Sequence, residues 1–246
     1  QLEIGLNGAT LPTLWGVKHI RGRYVLGGLD SGIIRSPEAQ DAIDKYTGLT
    51  TEEENSIAIF VDAEVAAGHW GTKANAYADS LYDVFWCFGL QLEANALISM
   101  HPLLTKTAIN NLATFVPGVG FTFNGTTSYL DSAYNPSVDG VKYLQDDMMI
   151  GTYILLNNNN GVGAGLIGSN NRTRLTGTGV WAAQQIDLQI PSHGGIADRG
   201  NVLVNAIRTA QFATAGIANG VEEGTSTQGS QALLNFNFYI GARNST

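Results

Sequence analysis

From about Thr114 onward, apolar and polar residues alternate in short runs that glycine and asparagine cut apart. Among the runs are Gly120-Phe-Thr-Phe-Asn-Gly-Thr-Thr-Ser-Tyr-Leu-Asp131, Ile150-Gly-Thr-Tyr-Ile-Leu-Leu156, Asn201-Val-Leu-Val-Asn-Ala-Ile-Arg208 and Asn235-Phe-Asn-Phe-Tyr-Ile-Gly-Ala-Arg243. A period of two sends successive side chains to opposite faces of a strand, so each run can bury one face. Many short strands rich in Tyr, Phe, Val, Ile and Thr predict an antiparallel β-sandwich, a scaffold whose function sits in its loops. Asn157 to Asn160, followed by Gly161, predicts a hairpin tip, because Asn and Gly tolerate positive φ.

The first half reads differently. Residues 1–36 are β-like, with Leu2, Ile4 and Leu6 alternating before the turn Asn7-Gly8, and fit either strands or an arm lying on a neighbour. Ser36-Pro37 opens a short helix, with Pro at the first helical position and Glu38 in the first turn. A clearer helix begins at Thr51, where Thr51 and Glu54 have capping-box spacing. Ile57, Phe60, Val61 and Val65 form its apolar stripe, and Gly68 stops it. Ala76–Phe88 fits a helix or a strand, Gln91–Ser99 a further element before the break at Pro102, and Thr105–Thr114 a polar connection. The organisation this suggests is an N-terminal segment, 1–50, and a sandwich over 51–246 with a helical cap at 51–99. A cap on one end of the sandwich and a separate domain both fit.

Composition narrows the partners. Of 246 residues, 44% are hydrophobic and 14% charged, against roughly 25% charged in an average domain. Few charges, 30 glycines and many Asn, Thr and Ser make neutral polar faces, which suit secreted, cell-surface or virion proteins as well as an ordinary acidic one. A net charge of −8, with thirteen Lys and Arg scattered along the chain, argues against nucleic-acid binding. The one cysteine, Cys87, lies in the apolar run Val84-Phe-Trp-Cys-Phe88 and predicts a buried, inert thiol. No apolar run reaches the ~18 residues of a membrane-spanning helix. The chain opens at Gln1, as a processed protein or a segment of a longer one would.

Several motifs follow one another in a telling order. They are Gly68-His69-Trp70, Leu81-Tyr-Asp-Val-Phe85, Phe115-Val-Pro-Gly118, Gly120-Phe-Thr-Phe-Asn-Gly125, Tyr129-Leu-Asp131, Tyr134-Asn-Pro136, Ala218-Asn-Gly220 and Phe238-Tyr-Ile-Gly-Ala-Arg-Asn244. Over roughly residues 51–246 this order resembles the concanavalin A-like, laminin-G-type jelly-roll modules of tailed-phage and prophage virion proteins. The resemblance implies a mainly β fold: an antiparallel two-sheet jelly-roll sandwich with a small N-terminal helical segment. It also implies a place in the virion or outside the cell, a role in host adsorption or in building a fibre or shell, and attachment to the particle through residues 1–50.

Catalytic signals are weak. Glycosidases need two carboxyl groups flanking the scissile bond. Laminarinase-type jelly rolls carry Glu-x-Asp-x-Glu on one strand, but the nearest match, Gln185-Ile-Asp-Leu-Gln189, has amides at both outer positions, which can neither protonate a leaving group nor attack. Gly163-Ala-Gly-Leu-Ile-Gly168 matches the dinucleotide fingerprint, but Ser169-Asn-Asn-Arg-Thr173 reads as a turn rather than the helix that would hold a pyrophosphate. His19, His69, His101 and His193 lack metal-ligand spacing, and His69 reads as a cap at a helix end. No cofactor is therefore expected. Calcium is the one ion that fits, through Asp131, Asp139, Asp146 and Asp147, since laminin-G-type modules often hold calcium at a rim.

Glycan binding needs an aromatic ring beside neutral hydrogen-bonding groups. Trp181, Tyr134 with Asn135, the 157–160 tip and the Ser192–Arg199 loop, with Asp198 and Arg199, are the candidates. The expected function is a non-enzymatic tail-fibre, spike or capsid-surface module that contacts host-surface glycan. Its partners are other virion proteins and further copies of itself, with no membrane insertion. A purely architectural subunit is the main alternative, and a glycoside hydrolase the second.

Overall fold

A computed structural model describes residues 35–124, 127–154, 165–169, 173–176, 202–218, 221–226, 229, 232–233 and 235–241. They form antiparallel sheets accompanied by a few helices. Helix α1, Pro37–Ile43, starts as its sequence predicts: Ser36 accepts the Ala39 amide and Pro37 takes the first turn. Helix α2, Thr51–Ala66, buries Ile57, Ala58 and Val61 and packs Phe60 and Val65 on the same cluster, so its apolar stripe is the expected one.

The capping box of α2 sits one residue earlier than the Thr51–Glu54 spacing suggested. Thr50 is the N-cap, and it exchanges hydrogen bonds with Glu53. Tertiary contacts account for the shift. The other oxygen of Glu53 accepts the Gln91 amide at 2.7 Å, while Glu54 pairs with Arg35 at 2.7 Å. Gly68, with φ +76°, turns the chain after α2, so that Trp70 folds back fully buried against Phe60, Tyr82, Phe85 and His101. Buried Ala39, Ala42 and Ile43 of α1 join this cluster, so the two helices on either side of residue 50 share one core.

Ala76–Phe88 is neither helix nor strand. It follows a 3₁₀ turn, Lys73–Asn75, as turns and bends, with a β-bridge from Trp86 to Ser99. Its buried anchors, Tyr77 and Tyr82, are spaced for neither period. Helix α3 is short, Glu93–Ala96.

One strand occupies the stretch read as connection, and a second begins at Thr114, where strand patterning was expected. β1, Ile109–Asn111, and β2, Thr114–Val116, flank a turn clamped by Asn110, whose side chain bonds the amide and carbonyl of Ala113. β1 ends the strand order of its sheet, where polar residues meet solvent without cost, which is why its sequence reads as a loop.

β2 pairs with β3, Gly120–Thr122. β4 is Tyr129–Asp131; a short helix α4, Pro136–Asp139, follows; then come β5, Met148–Ile154, β6, Gly165–Ser169, and β7, Thr173–Thr176. β8, Val202–Ala210, β9, Ala213–Ala218, β10, Val221–Ser226, and β11, Tyr239–Ile240, complete the described strands. One sheet runs β1-β4-β11-β6-β7 and another β10-β9-β8-β5, with every pairing antiparallel. Gly165–Gly168 therefore lies in a strand paired with β7, and the next described residues, Thr173–Thr176, form that strand rather than the helix a dinucleotide would need.

A second cluster joins the two sheets. Leu130 of β4 and Ile240 of β11 meet Met148 and Ile150 of β5, with Tyr134, Tyr143 and Phe238 around them. Burying each aliphatic chain is worth about 1.5–3 kcal/mol. Phe121 packs against both clusters, so helices and sheets are continuous through that ring.

Candidate functional site: the outer face of the five-stranded sheet

Alternation along β4 and β11 decides what the sheet shows to solvent. Leu130 and Ile240 point into the core, which turns Tyr129, Asp131 and Tyr239 outward. The register sets Ile109, Asp131 and Tyr239 side by side across three strands, and Asn111 opposite Tyr129. On the far side Tyr239 faces Gly168, which has no side chain to cover the ring. The half-exposed Tyr129 and Tyr239 rings stack with centroids 4.3 Å apart and planes 16° apart. Burial, then the neighbouring Tyr129 hydroxyl and the Asp131 charge, push the Tyr239 phenol up to about 12, so it stays a neutral donor at physiological pH.

Asp131 connects this face to the loop end. Its Oδ1 accepts the Ala133 amide at 2.8 Å and the Asn237 Nδ2 at 3.0 Å. Close by in the chain, Asn135 caps α4, with its side-chain oxygen accepting from Ser137, and its Nδ2 donates to Asn235 Oδ1 at 2.6 Å. Stacked rings and neutral amides thus share one end of the sheet.

The residues singled out from sequence fall as follows. Asn135 belongs to this end. Tyr134 is 2% exposed, with its ring against Phe238 and its hydroxyl donating to Asp83 at 2.7 Å. That packing covers the ring and sets it beneath the loop. Trp181, Asp198 and Arg199, like the 157–160 tip and the 185–189 segment, lie outside the described residues. Tyr129 and Tyr239 were the residues sequence reasoning passed over. The alternation Tyr-Leu-Asp and Phe-Tyr-Ile was the signal that could have found them.

The calcium expectation meets no converging ligand set. Among the described residues no group of three or more His, Cys, Asp or Glu side chains is placed to hold a metal ion. Asp139 instead pairs with Lys106 at 2.7 Å and accepts the Asn135 amide at 2.9 Å. Burial opposes its ionisation, but these hydrogen bonds win and hold its carboxyl below the usual range.

One serine–histidine pair does form. Ser80 Oγ lies 2.9 Å from His101 Nε2, both side chains buried. The Leu103 amide donates to His101 Nδ1, so Nε2 carries the hydrogen and points at the Trp70 carbonyl, 2.9 Å away. A nitrogen already protonated cannot take the serine proton, and burial, with Lys45 adding to it, pushes the imidazole down to about 4. The pair is a core hydrogen-bond network. His69 sits at the end of α2 with Nδ1 3.1 Å from Glu64, much as its sequence position suggested. Cys87 is half-buried rather than fully buried, and what burial it has raises its thiol.

A depression of about 340 Å³ beside α1 and α2 is lined by Arg35, Gln40, Asp44, Tyr46 and Glu54, and its arginine is engaged by Glu54. No described helix is long and apolar enough to cross a membrane. No family model, curated protein or solved structure matches this chain.

Proposed function

We propose that this chain is a non-enzymatic virion module, part of a tail fibre, spike or capsid-surface appendage, that contacts host-surface glycan. In this reading its two sheets belong to a concanavalin A-like jelly-roll sandwich of a phage particle. The observation that carries the glycan reading is the stacked, half-exposed Tyr129–Tyr239 pair, flanked by Asp131, Asn111 and Asn237. A sugar ring offers an apolar C–H face and a rim of hydroxyls, which such a surface can meet by stacking and hydrogen bonds. A shallow, open face gives weak single-site affinity. Several copies per particle multiply it without further contacts, so the working form is an oligomer. A glycan array probed with the purified 246-residue protein tests the reading: signal on a defined subset of glycans supports it, and a flat array removes it.

A second reading, a purely architectural subunit, is favoured by the β1–β2 turn. Leu112 is 80% exposed at φ +62°, a conformation costly for a residue with a Cβ, and Asn110 clamps it there. Exposed Ile109 and Val119 lie on the same stretch of chain. Covering them against a neighbouring subunit would recover their burial energy. A flat array together with assembly that Leu112→Asp abolishes would leave architecture as the function.

A further inference from the structure

We infer that the tyrosine face takes an uncharged pyranoside and that Asp131 Oδ2 accepts a hydroxyl from it, an inference that rests on the glycan reading above. A carboxylate has two oxygens, each able to accept about two hydrogen bonds. Asp131 Oδ1 is filled, by the Ala133 amide at 2.8 Å and by Asn237 Nδ2 at 3.0 Å. Those two bonds hold the carboxylate plane. Oδ2 receives no donor among the described residues, and the side chain is half-exposed. The acceptor is therefore oriented in advance and idle, directly across from Tyr239 and beside the stacked rings. Preorganisation of this kind is what makes a polar contact discriminating rather than merely present.

The same carboxylate selects against charge. A sialylated, uronate or sulfated sugar resting on Tyr239 would bring an anion beside Asp131, on a chain of net charge −8. Lys106, just ahead of β1, offers no relief because Asp139 engages it at 2.7 Å. An anionic substituent resting beside Asp131 would meet that repulsion, whereas a hydroxyl meets a waiting acceptor.

The test uses one array carrying neutral oligosaccharides of glucose, galactose and mannose beside sialylated, uronate-containing and sulfated ones, followed by titration calorimetry on the strongest hit. The chain and its Asp131→Asn variant are compared. Asparagine keeps Oδ1, and so its two internal bonds, but replaces the idle acceptor with a donor. The inference predicts hits among the neutral glycans, at least tenfold weaker binding by Asp131→Asn, and unchanged thermal melting. Hits confined to anionic glycans overturn it while leaving the glycan reading in place. Neutral hits that Asp131→Asn binds equally well also overturn it. An array flat for every class removes the glycan reading itself, and this inference with it.

Discussion

Asp83 offers the sharpest test of how the loop under the candidate face is held. Its buried carboxylate accepts from the Tyr134 hydroxyl at 2.7 Å and from the backbone amides of Val141, Lys142 and Tyr143 at 3.1, 2.8 and 3.0 Å. One side chain thus organises residues 134–143, the segment that carries Asn135 and Asp139, from about fifty residues away. Asp83→Ala would orphan four donors, two of them on the buried residues Tyr134 and Tyr143. Each unsatisfied buried group costs about 1–3 kcal/mol, and water entry and relaxation recover part of the total, so a loss of about 4 kcal/mol is expected. Tyr134→Phe removes one donor and leaves the carboxylate three others, for a loss of about 1–2 kcal/mol. Combined, the two changes should cost less than their sum by 1 kcal/mol or more, because the phenylalanine removes a hydroxyl that Asp83→Ala had stranded. Urea denaturation of the four proteins, followed by circular dichroism, gives all the terms. Asp83→Ala within 1 kcal/mol of the parent, or strictly additive losses, would refute the idea that this carboxylate holds the loop.

Two further outcomes follow from the same packing. His101 titrates near 4 when folded against 6.5 in an unfolded chain, so the unfolded state binds the proton first as pH falls. Its contribution is complete above pH 6.5 and declines towards pH 4, by about 3 kcal/mol, and the stability difference between the parent and His101→Gln should shrink across that window; a difference independent of pH would contradict it. Gly241→Ala should destabilise by about 2–4 kcal/mol in the same denaturation assay, since φ is +80° and a Cβ would lie 2.2 Å from the Phe123 ring; a loss under 1 kcal/mol would show that the ring can move aside.

Where local chemistry decides structure, the chain could be read directly. Ser36-Pro37 caps α1 and Gly68 ends α2, because each acts within one turn of itself. Tertiary contacts moved what the local signal placed wrongly. Two threonines competed for the N-cap of α2, and the choice between them was made by Gln91 and Arg35, far away in sequence. Ile109-Asn-Asn111 could not be read as a strand, since its burial pattern exists only once β4 lies beside it. The candidate site was half legible. Asn135 was found from its aromatic neighbour, yet that neighbour, Tyr134, turned inward to Asp83, a partner no local pattern announces. Tyr129 and Tyr239 lie 110 positions apart, and only the register of β4 with β11 makes them a stacked pair.

The claim that this outer face is the glycan contact is tested most directly by replacing its ring. Calorimetric titration of the strongest array ligand into the parent chain and into Tyr239→Ala should show binding to the first and at least tenfold weaker binding to the second, with both proteins equally folded by circular dichroism. Equal affinities would place the contact elsewhere on the molecule and contradict the account.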